Sequence, residues 1–200
     1  NNISTAGPAA NGRDQAGAFS ASSWIYFYWI WNGSTLATIS SATAPSTGPA
    51  LPTGYTHWAL CTSARLDGGT LLLKIRVKGA LVSYELQQNV LTNGTATVEA
   101  TVSLSTVVPP NALTVNVEAD LDISSFPAFP IDEIASLRYI SGSDYALMRG
   151  KAGTAYIQRQ NIVFVMPNVS QQMFYRVTGT SGTPQVDIDV LGFTVPNGGE

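Results

Sequence analysis

The stretch SSWIYFYWIWNG, Ser22 to Gly33, contains eight consecutive residues, Trp24 to Trp31, that are all aromatic or isoleucine. A strand with one wet face alternates apolar and polar side chains. This one does not, so both of its faces need a cover. Two covers are open. The strand can be central in a sandwich, with core on one face and a loop on the other. Alternatively its second face packs on another copy of the chain, with Trp24, Tyr26, Tyr28, Trp29 and Trp31 forming an oligomer interface. Eight residues fall far short of the roughly 20 that a membrane helix needs, so membrane insertion is not expected.

Working outward, the chain reads as strands separated by turns. LLLKIRVKG sets Leu71, Leu73, Ile75 and Val77 against Lys74, Arg76 and Lys78. TATVEATVSLS places Ala96, Val98, Ala100, Val102 and Leu104 on one face. LTVNVEADLDIS sets Val115, Val117, Ala119, Leu121 and Ile123 against Asn116, Glu118, Asp120 and Asp122. QVDIDVLG repeats the scheme, and YIQRQNIVFVM and MFYRVTG add two more strands. Period-2 patterns of this kind mark half-buried antiparallel strands. Asn32-Gly33 and Asn93-Gly94 are hairpin signals, because a type I′ turn needs positive φ at both central positions. The Pro-, Ser- and Thr-rich segment 41–54 reads as a long exposed loop. PIDEIASLRYI fits either a short helical turn or a strand. The expected fold is all-β, an antiparallel β-sandwich of jelly-roll type. Its expected organisation is a flexible or extended arm over 1–18 followed by one domain over 19–200.

Composition narrows the function. Charged residues make up 12% of the 200, about half the usual share, and the net charge is −3. No basic cluster exceeds three residues, so the electrostatic footprint of a nucleic-acid binder is missing. A surface rich in Ser, Thr, Asn and Gly suits contact with protein chains or sugars. Cys61 is the one cysteine, so no disulfide closes within the chain. The polar, Gly-rich start does not read as a signal peptide, and beginning at Asn1 it suggests a processed chain or a piece of a longer one.

No catalytic signature stands out. His57, the one histidine, precedes Cys61 by four residues. On a strand the two would share a face about 13 Å apart, and two ligands do not make a structural zinc site. A G-x-S-x-G elbow is absent. Glu118, Asp120, Asp122, Asp187 and Asp189 alternate strictly with apolar residues, as the wet faces of ordinary strands do. They match no Ca²⁺ loop, and their expected partners are Lys74, Arg76 and Lys78, across a ladder or across subunits. No enzyme activity, cofactor or metal is expected. The flat rings that suit a sugar are Tyr55 and Trp58, with His57 between them, and Tyr139 and Tyr145 in RYISGSDY; these five form the expected carbohydrate or receptor site.

A longer pattern carries a resemblance. The aromatic strand, Asn32-Gly33, Leu36, Ser40, Pro45, Leu51-Pro52, Gly54-Tyr55-Thr56 and Asp67-Gly68 occur in an order that resembles tailed-bacteriophage virion proteins of the tail-fibre or receptor-binding type. VVPPNALTVNVEA, VSQQMFYRV and VDIDVLGF resemble that family's middle and closing strands, so the similarity spans about residues 12–194. HWALCTS stands here where similar proteins commonly carry a basic stretch. The resemblance implies a non-enzymatic structural protein of the virion, homo-oligomeric and trimeric, in a tail fibre or spike that contacts the host surface. Its implied partners are other virion proteins and a host-surface glycan. A head-fibre or decoration protein and a carbohydrate-binding module are the alternatives.

Overall fold

A computed structural model describes residues 2–123, 132–138, 145–151, 156–166, 171–179 and 184–196. Among these the chain is all-β, in antiparallel sheets, as a β-sandwich requires. It divides into two compact units, Asn1–Glu85 with Thr194–Glu200, and Leu86–Phe193.

The first unit holds β1 (Trp24–Trp31), β2 (Leu36–Ser41), β3 (His57–Arg65), β4 (Ile75–Lys78) and the start of β5 (Leu81–Gly94). Strands β2-β1-β3 form a three-stranded sheet with the aromatic strand in the middle. Tyr26, Tyr28 and Ile30 point to one face, where they join Ala37, Ile39 and Leu60 in a buried cluster. The loop between β2 and β3 covers this cluster with Ala44, Leu51 and Tyr55. That segment is therefore not simply an exposed loop. On the opposite face Ile25 is fully buried with Phe19 and Leu66, and Ile3 and Phe27 pack against them. Much of the strand's second face is thus covered by the chain's own residues.

Part of that cover comes from residues 2–18, which pack against the rest of the first unit. They run alongside the free edge of β2. Asn11 N donates to Thr38 O, Ser40 N to Gly12 O and Asp14 N to Ser40 O, with a parallel bridge between Arg13 and Ser40. Arg13 and Asp14 are both buried. The Asp14 Oδ2 accepts from the Ser41 hydroxyl at 2.5 Å and from Ala50 N at 3.2 Å. One carboxylate therefore ties the N-terminal segment, the end of β2 and the covering loop together. Charge-assisted bonds to backbone and hydroxyl donors satisfy buried groups that would otherwise be orphaned.

The second unit contains the rest of β5, then β6 (Ala100–Ser103), β7 (Thr114–Ile123), β8 (Asp132–Arg138), β9 (Tyr145–Lys151), β10 (Tyr156–Val165), β11 (Gln172–Gly179) and β12 (Pro184–Thr194). One sheet has the order β10-β7-β12-β5-β4 and another β6-β11-β8-β9. The inward residues are those that the alternation names. Val115, Val117, Ala119 and Leu121 on β7 and Val186, Ile188 and Val190 on β12 are fully buried, as are, nearly so, Met173 and Val177 on β11. The PIDEIASLRYI ambiguity resolves as a strand over its described part. Ala135, Ser136 and Leu137 are all buried in β8, which lies between β11 and β9.

Three local expectations are corrected. Within the chain the acidic face of β7 does not lie beside Lys74, Arg76 and Lys78, because the strands beside β7 are β10 and β12 while β4 pairs with β5. Arg159 on β10 takes that role: its guanidinium binds Asp120 through two bonds of 2.9 and 2.7 Å and lies 3.5 Å from Glu118. Arg76 faces Glu85 instead, at 3.6 Å. Leu71 and Val77 are exposed despite their apolar period, since Leu71 precedes β4 and β4 is a short terminal strand with one neighbour. Asn93-Gly94 forms no hairpin. Asn93 keeps φ 53° at the end of β5, its N–H donates to Asp187, and a Cβ on Gly94 would lie 2.8 Å from the Tyr175 ring.

Two outcomes follow from this packing. Asp14→Ala leaves the Ser41 hydroxyl and Ala50 N–H without their acceptor and lowers stability by about 1–3 kcal/mol, read as a lower denaturant midpoint; an unchanged midpoint contradicts the cross-brace. The second outcome concerns alkaline pH. Burial pushes the Tyr26 phenol from 10.0 up to about 12 and raises Tyr84 as well; Tyr28 is raised by burial and then by Tyr26 and Asp14. The folded state holds protons that the unfolded chain loses. The stability tied to these phenols is whole below about pH 10 and is lost as pH rises from 10 towards 12. Denaturant midpoints that stay level between about pH 9 and 11.5 contradict it.

Candidate functional site

The cover on the second face of β1 ends after Phe27. Beyond it Trp29 and Trp31 are 44% and 38% exposed. Register supplies their neighbours: Trp29 lies opposite Thr38 and Ala59, and Trp31 opposite Leu36 and His57. Directly opposed residues share a face. The result is an open apolar surface of Trp29, Trp31, Leu36 and Ala59, with Thr38 and His57 as polar neighbours. A shallow groove of about 170 Å³ is lined by Trp29, Trp31, Leu36, His57 and Ala59 and reaches Ile30 and Trp58 at its edge. Two positions apart on one strand, the indoles sit about 7 Å from each other. Large exposed apolar patches with a polar rim mark interaction surfaces.

Local chemistry fixes the two ends. At one end Asn32 Oδ1 accepts from Ser34 N and Thr35 N, closing the β1–β2 connection, and Gly33 takes φ 97°. The Asn32-Gly33 hairpin is therefore present, built as a longer loop than a two-residue turn. It sets Leu36 opposite Trp31. At the other end β3 carries a bulge: Phe27 pairs with Thr62 and Tyr28 with Leu60, leaving Cys61 as the extra residue. Burial pushes the Cys61 thiol up, and a hydrogen bond with the Trp29 indole partly opposes this. Such a thiol is poorly ionised and a weak nucleophile. The His57 Nδ1 lies 2.9 Å from the Thr56 hydroxyl, which leaves Nε2 for another partner.

The expected site residues separate. His57 stands on the Trp29–Trp31 face. Trp58 pairs with Ile30 and lies on the opposite face, its ring edge-on to Tyr28 at 5.3 Å and 84°. Its indole also lies against Gly48, where φ is 80° and a Cβ would come within 2.5 Å of the ring. Tyr55 packs on the buried cluster beside it. The backbone of Tyr145 opens β9 opposite Arg138, and Tyr139 lies outside the described residues. Of the expected interface residues, Tyr26 and Tyr28 are buried within the chain's own core, and Trp24 is half-buried with Arg65 5.8 Å from its ring. Trp29 and Trp31 are the exposed pair.

The LPTGYT motif has a structural job. Tyr55 N donates to Pro52 O, and Gly54 at φ 89° supplies the third turn position that a type II turn reserves for glycine. This turn delivers Leu51 and Tyr55 onto the core. Thr56 N then donates to Trp31 O and starts β3 in register.

Among the described residues no group of three or more His, Cys, Asp or Glu side chains is arranged to hold a metal ion, and no helix is long and apolar enough to cross a membrane. No protein-family model and no curated protein matches this chain.

Gly48→Ala forces an L side chain into the left-handed region and drives a Cβ into the Trp58 indole. It costs about 1–3 kcal/mol and shifts tryptophan emission. A variant with unchanged midpoint and emission rules out the close contact.

Proposed function

We propose that this chain is a non-enzymatic structural protein of a tailed-phage particle, part of a tail fibre or spike, and that it contacts the host surface through Trp29, Trp31, Leu36 and His57. The open indole pair carries the reading. A pyranose presents an apolar face that stacks on a flat ring, and hydroxyls beside it need donors and acceptors such as Thr38 and His57 offer. The low share of charged residues and the ordered resemblance over residues 12–194 support it. The chain acts as a homo-oligomer, with a trimer taken from the resemblance, and it needs no cofactor. The same tryptophan pair also favours a free-standing carbohydrate-binding module. Finding the chain in purified particles separates the two.

Trp29→Ala with Trp31→Ala removes two half-covered rings and the Trp29 bond to Cys61, so stability falls by about 2–4 kcal/mol and folding of the variant is checked first. Adsorption to host cells falls at least tenfold. A folded double variant that adsorbs as well as the parent overturns this face as the contact site. Light scattering of the purified chain tests assembly separately: a monomer at micromolar concentration overturns the oligomer.

A further inference from the structure

We propose that the cavity beneath the N-terminal segment of the first unit binds a small monocarboxylate with a compact apolar body. This site is independent of the tryptophan face. The cavity holds about 180 Å³. Phe19 and Leu66 form a buried apolar floor, Ser4, Ala18 and Thr70 stand at an exposed rim, and Arg13 lines the space between.

Arg13 makes the cavity chemically specific. It is only 7% exposed. Its Nη1 donates to Ile3 O at 3.1 Å, its Nη2 to Ala16 O at 2.9 Å and its Nε to Gln15 O at 3.5 Å. All three acceptors are neutral carbonyls. Among the described residues no carboxylate lies within ion-pair distance of Arg13. The adjacent Asp14 directs Oδ2 to Ser41 and Ala50. A guanidinium has five N–H donors, so one hydrogen remains on each terminal nitrogen. Those two are the donors that a carboxylate, whose two oxygens suit a guanidinium, would take. Buried charges are normally paired, and among the described residues Arg13 has no direct ion-pair partner, the adjacent buried Asp14 included, while it lines an open cavity.

The rest of the lining selects among anions. Phosphate and sulfate prefer several donors and water, whereas Phe19, Leu66 and Ile3 offer apolar surface. A cavity of 150 Å³ accommodates benzene, so this one takes a ligand of about six to nine non-hydrogen atoms. Thr70 at the rim holds φ 66°, a strained conformation for a β-branched residue, and strain of this kind gathers at ligand sites.

The test uses the full chain and sodium benzoate, followed by saturation-transfer NMR and thermal shift, with benzyl alcohol and sodium sulfate as comparators. Benzoate binds saturably and raises Tm, and both comparators bind at least tenfold more weakly. Ala18→Trp fills the mouth without touching an Arg13 bond; it keeps the parent Tm and loses benzoate binding. Should that variant not fold, Ser4→Trp blocks the opposite rim. Absence of saturable benzoate binding up to about 50 mM overturns the site. Binding that survives the folded rim variant overturns the location. Equal affinity for benzyl alcohol or for sulfate overturns the ligand class.

Discussion

A strand that is apolar on both faces must be covered twice, and the first unit is organised around that demand. The loop between β2 and β3 supplies one cover through Leu51 and Tyr55; residues 2–19 supply the other through Ile3 and Phe19. Both covers are irregular chain. They therefore depend on a few polar anchors to hold their shape: Arg13 within the N-terminal segment, and Asp14 where that segment, β2 and the loop meet. Burial of a Tyr or Ile is worth a few kcal/mol only when its cover stays in place, so these anchors secure the apolar contacts rather than replace them.

The cover is also incomplete, and the incompleteness has a defined place. Residues 2–19 shield Ile25 and Phe27 and stop short of Trp29 and Trp31. One strand thus passes from core to surface along its own length. The indoles are held by a rigid central strand, while their neighbours Leu36 and His57 come from strands on either side. Recognition groups placed on strands keep their spacing better than groups on loops.

Much of this was legible in the sequence, and the failures have physical reasons. The missing alternation in β1 announced two faces in need of cover, and the alternation in β7 and β12 named Val115, Val117, Ala119, Leu121, Val186, Ile188 and Val190 as buried, while the Ile123 side chain lies outside the described residues. The pattern could not say where a cover ends, because residues 2–19 and 51–55 read only as polar or Pro-rich chain. The five expected recognition residues share flat rings in two separate stretches, but neighbours on a strand point to opposite faces, so the side chains of His57 and Trp58 diverge. Leu36 was recoverable by counting across the Asn32-Gly33 hairpin. Alternation in β4 misled because a terminal strand with one neighbour buries little. The Asn93-Gly94 signal lost to tertiary contacts with Asp187 and Tyr175.

Strand order in the second unit bears on how the chain comes to be folded. β12 follows all the other strands in sequence, yet it sits inside its sheet, between β7 and β5. Until residues 184–194 arrive, β7 and β5 each lack a neighbour and their apolar sides have nothing to close on. Long-range pairing of this sort is slow, and unpaired strand edges invite association with other chains. During synthesis the second unit therefore waits on its final strand, whereas the β2-β1-β3 sheet, whose strands and covers lie within residues 2–66, is able to form from local contacts while the ribosome is still at work.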